Sequence, residues 1–62
     1  MDFNKEVFDR LRSKGYLIGL TYQNQGRGLF VVINDVAMPI GLARHLDSGR
    51  VTIDEIASGL SN

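Results

Sequence analysis

The run Leu29-Phe30-Val31-Val32-Ile33 constrains this chain more than any other feature. It is apolar at every position and rich in β-branched and aromatic residues, so it reads as a strand with no polar face. Such a strand needs cover on both sides, and a chain of 62 residues has little to cover it with. Burying about 3,500 Å² of apolar surface contributes about 90 kcal/mol, and ordering the chain at about 1.5 kcal/mol per residue costs about as much. The expectation is one small domain over 1–62, close to the limit of independent stability.

The flanking segments supply the rest of the fold. Phe3, Val7 and Leu11 recur at helical spacing with Phe8 beside them, which predicts a helix over 3–13. Asp2 is its expected N-cap and Gly15 its left-handed C-terminal residue. Residues 16–24 alternate as a strand, with Tyr16, Ile18, Leu20 and Tyr22 read as the core face and Gly19 as a bulge or a close backbone approach. Gln25, Gly26, Arg27 and Gly28 form a hairpin loop. Asn34-Asp35 reads as a two-residue turn into a short third strand, Val36 to Met38.

Pro39 suits the first turn of a helix over 39–47, with an apolar stripe of Ile40, Leu42, Ala43 and Leu46. Thr52 and Glu55 then make a capping box, with Val51 and Ile56 as a hydrophobic staple, so a last helix starts at Ile53 and frays toward Asn62. The expected class is α+β: an N-terminal helix, a three-stranded antiparallel meander and two short C-terminal helices. Two arrangements would cover both sheet faces. Either the first helix takes one face and the last two the other, or a second copy covers the second face.

Few chemistries fit these residues. The chain has no cysteine, which excludes thiol chemistry, disulfides and zinc–thiolate sites and fits a cytoplasmic location. His45 is the only histidine and has no second ligand nearby in sequence, so no metal site is expected. Asp54 and Glu55 are adjacent acids, but capping and the helix dipole account for them. Ser13, Ser48, Ser58 and Ser61 lack a nucleophile context. Gly26-Arg27-Gly28 leads into a strand, whereas phosphate loops lead into helices. The expectation is no enzyme, no catalytic residues and no cofactor.

Seven Lys and Arg balance seven Asp and Glu. Nothing in that balance calls for a polyanionic partner, although Arg10, Arg12, Lys14 and Arg27 form a basic set that would serve a nucleic-acid-binding regulator. A helix-turn-helix reading of the last two helices fails on the acids Asp54 and Glu55, which would face phosphates. MDFNKEVFDR has no apolar core of a signal peptide, and no run is long enough to span a membrane.

The reading that remains is a small non-enzymatic interaction module, a regulator, inhibitor or accessory subunit that docks on a larger protein. Small free-standing domains of this kind are common among phage and mobile-element products, which is an association only. Gln25, Arg27, Phe30 and Val32 are the expected partner contacts. The surplus apolar strand surface also predicts a homodimer, with Leu17, Phe30 and Val32 on the uncovered side.

Overall fold

The computed structural model describes residues 3–60, and the side chains of 4–59. The expected N-cap Asp2 and the fraying end lie outside the described residues. The order is α1 (Phe3–Ser13), β1 (Ile18–Asn24), β2 (Gly28–Ile33), β3 (Val36–Pro39), α2 (Ile40–Ser48) and α3 (Ile53–Leu60). The strands form one antiparallel sheet in the order β1-β2-β3. This is the α+β arrangement the sequence predicts.

Local chemistry explains where each element ends. After α1, the Tyr16 N–H donates to Leu11 O at 3.0 Å and the Gly15 N–H to Arg12 O at 3.0 Å. Gly15 takes φ +98°, so this is a Schellman termination. Helix α2 ends the same way on Gly49, at φ +80°, with the Arg50 N–H donating to His45 O at 2.9 Å. Asn34 and Asp35 both have positive φ, at 49° and 66°, which is the type I′ geometry that matches strand twist. The Asn34 side chain ties the turn back, its Oδ1 accepting the Leu17 N–H at 2.8 Å.

Helix α3 starts on the expected capping box. The Glu55 N–H donates to Thr52 Oγ1 at 3.2 Å and the Thr52 N–H to Glu55 Oε1 at 3.0 Å. Pro39 departs from the expected position. It caps α2 in extended geometry, φ −56° and ψ 143°, and ends β3. Its ladder place opposite Phe30 holds it in the strand, so the helix begins one residue later.

All three helices lie on one side of the sheet. Val7, Phe8 and Leu11 of α1, Ala43 and Leu46 of α2 and Ile56 of α3 share one core with Val31, Ile33 and Met38. Ile18 and Val36 pack against the same core. Helix α1 contacts α2 and β1, α2 contacts β2 and β3, and α3 contacts β3. This overturns the arrangement with helices on both faces. The stripe of each helix is narrow and the chain short, so the three together cover one face, and among the described residues the other is left bare.

Candidate interaction face

Ladder parity identifies the bare face. Val31 and Ile33 of β2 point into the core, so Phe30 and Val32 point away from it. Phe30 lies opposite Tyr22 on one side and Pro39 on the other, and Val32 lies opposite Ala37. The Tyr22 and Phe30 rings are 5.9 Å apart at 42°. Flanked in this way, Phe30 is only 9% exposed although it stands outside the core, and Val32 is half-buried.

The bulge on β1 delivers two further residues to this face. Ile18 pairs with Ile33 and Thr21 with Val31, so Gly19 and Leu20 together oppose Val32. Gly19 is the bulge its sequence suggests, close against Val32. Beyond it the parity of β1 reverses. Ile18 faces the core, but Leu20 and Tyr22 fall on the opposite face, and Leu20 is 66% exposed. The expectation that Leu20 and Tyr22 share the core face with Ile18 is therefore incorrect. Leu17, opposite Asn34, joins the same face at 75% exposure. Leu17, Leu20, Tyr22, Phe30, Val32 and Ala37 form an apolar surface without a charged side chain.

Of the expected partner contacts, Phe30 and Val32 belong to this face, and Gln25 and Arg27 are exposed on the hairpin at its end. Arg27 bends the loop through its N–H, which donates to Asn24 O at 2.8 Å. Sequence reasoning missed Leu20 and Tyr22. The signal was present in Gly19, since a bulge there implies a reversal of face.

The basic set that would serve nucleic acid is engaged within the fold. Arg10 Nε and Lys14 Nζ reach Asp47 at 2.8 and 2.9 Å, and Arg12 reaches Asp9 at 3.0 Å. Arg10 and Lys14 do share one helix face while Arg12 diverges, as their spacing predicts. Hydrogen bonds from Lys14 and Arg10 hold the Asp47 carboxyl below its ordinary range. A hydrogen bond from Lys5, aided by Arg12, lowers Asp9 in the same way. Arg27 stands apart from that cluster, at the sheet end.

Among the described residues no ligand-sized pocket opens and no three His, Asp or Glu side chains converge. No helix among them is long and apolar enough to cross a membrane. No protein-family model, curated protein or solved structure matches the chain.

Proposed function

We propose that this chain is a small non-enzymatic interaction module, a regulator, inhibitor or accessory subunit, that works by docking its bare sheet face on a larger protein. One observation carries the reading: five residues on the three strands, Leu20, Tyr22, Phe30, Val32 and Ala37, with Leu17 just before β1, face away from the core, and among the described residues no helix lies over them. Two large exposed apolar side chains, Leu17 and Leu20, beside half-buried Tyr22 and Val32 make a surface of the kind that marks a contact site. Leu17 and Leu20 stand out as the exposed contacts, and Tyr22, half-buried against Phe30, supplies the aromatic one, with Phe30 as its support. Arg27 and Gln25 form a polar rim at one end.

The test is capture from host lysate with the wild type and with Leu20→Glu. Leu20 is 66% exposed, so the charge leaves the fold intact by circular dichroism. A defined protein retained by the wild type and lost with the variant is expected. Equal retention by both would overturn docking through this face. A gel shift with nucleic acid that weakens steeply with salt would favour the basic-set alternative.

A further inference from the structure

We propose that in the free protein a second copy of this chain covers the bare face, the two sheets packed about a two-fold axis that runs across the strands. The inference rests on the reading of that face as a contact surface and names its occupant when no larger partner is bound. A two-fold contact sets a patch against its own image, so a charge close to the axis meets its own like charge. Leu17, Leu20, Tyr22, Phe30, Val32 and Ala37 carry none.

The charges at the two ends of the face select the orientation. Strand β2 runs from the hairpin bearing Arg27 to the turn bearing Asp35, so an exposed cation and an exposed anion sit at opposite ends of one strand. Among the described residues neither forms an ion pair with another side chain. An axis along the strands would bring Arg27 toward Arg27 and Asp35 toward Asp35. An axis across them brings each Arg27 toward Asp35 of the other copy, and does so twice. Leu17, just before β1, and Leu20, near its start, lie toward the Asp35 end of the sheet, so in this orientation they avoid their own images.

The size of the face fixes the strength. Three strands about 4.8 Å apart, with six residues rising about 3.4 Å each, give a face of about 14 by 20 Å. That is about 280 Å² per copy and about 560 Å² in all, under the roughly 1,000 Å² that a stable specific interface clears, so the dimer is a weak one that forms only at high concentration, dissociates on dilution and yields to a larger partner. Self-association then competes with docking and sets how much of the chain is available.

Light scattering across a dilution series of the whole chain reads the mass directly. The wild type is expected to rise from 6.9 kDa toward twice that value with concentration, and Leu20→Glu to stay at 6.9 kDa throughout. The chain has no cysteine, so Arg27→Cys and Asp35→Cys variants carry the only thiols. With a short bismaleimide, a mixture of the two is expected to cross-link, and neither variant alone. Cross-linking of Arg27→Cys with itself would overturn the orientation. A wild type that stays monomeric up to about 1 mM would overturn the dimer and leave the docking reading to its own capture test. A dimer unchanged by Leu20→Glu would put the self-contact on another surface and overturn the proposal.

Discussion

Lys14, just past the end of α1, reaches Asp47 near the end of α2, donating to its backbone oxygen at 2.7 Å and to its carboxylate at 2.9 Å. Arg10, one turn back, donates to the other carboxylate oxygen at 2.8 Å. The Asp47 side chain is only 11% exposed between them, while both cations stay about half exposed. This clamp joins the C-terminal ends of two helices that are distant in sequence. Asp47→Asn should lower stability by about 1 kcal/mol, since ion pairs with exposed cations are modest. For a domain this size that is about 4–8 °C in melting temperature.

The same clamp predicts a dependence on acid. Lys14 and Arg10 lower the folded pKa of Asp47 below its unfolded value. Its contribution is therefore full above the ordinary carboxylate range and is lost as pH falls through the folded pKa. Thermal melts of wild type and Asp47→Asn should differ at neutral pH and converge as pH falls toward that pKa. A gap that persists unchanged at low pH would mean the carboxylate charge is not what holds the helices.

Thr52→Ala should cost about 1 kcal/mol by removing the side-chain acceptor for the Glu55 N–H. A melting temperature about 4–8 °C lower is the expected result. Glu55→Ala should also destabilise, because Glu55 accepts from the Thr52 N–H and hydroxyl. If the box acts as a unit, the double variant loses less than the two single losses added.

The elements whose signals are local were legible. The capping box, the glycines after α1 and α2 and the Asn34-Asp35 turn are each written within a few residues, and each forms as its chemistry dictates. What was not legible depends on parity and distance. A bulge at Gly19 reverses the face of every later residue of β1, so Leu20 and Tyr22 left the core side although their alternation is unbroken in sequence. An apolar helix stripe says that a face is buried but not which side of the sheet buries it. The role of Arg10 and Lys14 depended on Asp47, 37 and 33 residues away, and no spacing rule reaches that far. The bare face was legible in part: Phe30 and Val32 follow from a strand without a polar side, whereas their neighbours on β1 do not.

Arg27→Ala should leave folding intact, because the side chain is exposed at a loop tip and the turn is held by its backbone. A melting temperature within about a degree of wild type is expected, as for surface changes away from structural features. Binding through the sheet face should weaken from the loss of a rim charge, more at low salt than at high. A large loss of stability would show that the arginine is tied into the fold.

Two glycines make a paired test of backbone requirement. Gly49 ends α2 at φ +80°, where a side chain is strained whatever the free space. Gly49→Ala should therefore destabilise by about 1 kcal/mol, with a melting temperature several degrees lower. Gly19 sits at the bulge without positive φ, and a Cβ built there meets the Val32 carbonyl oxygen at 3.4 Å and its Cβ at 3.6 Å. Those are ordinary contacts. Because alanine also narrows the unfolded ensemble, Gly19→Ala should leave stability unchanged or raise it by about 0.5 kcal/mol. The bulge then follows from strand register and not from glycine's freedom. Retained dimer mass in Gly19→Ala would show that Leu20 still reaches the bare face. A loss of stability as large as that of Gly49→Ala would instead mean that the approach of β1 to Val32 has no room to give.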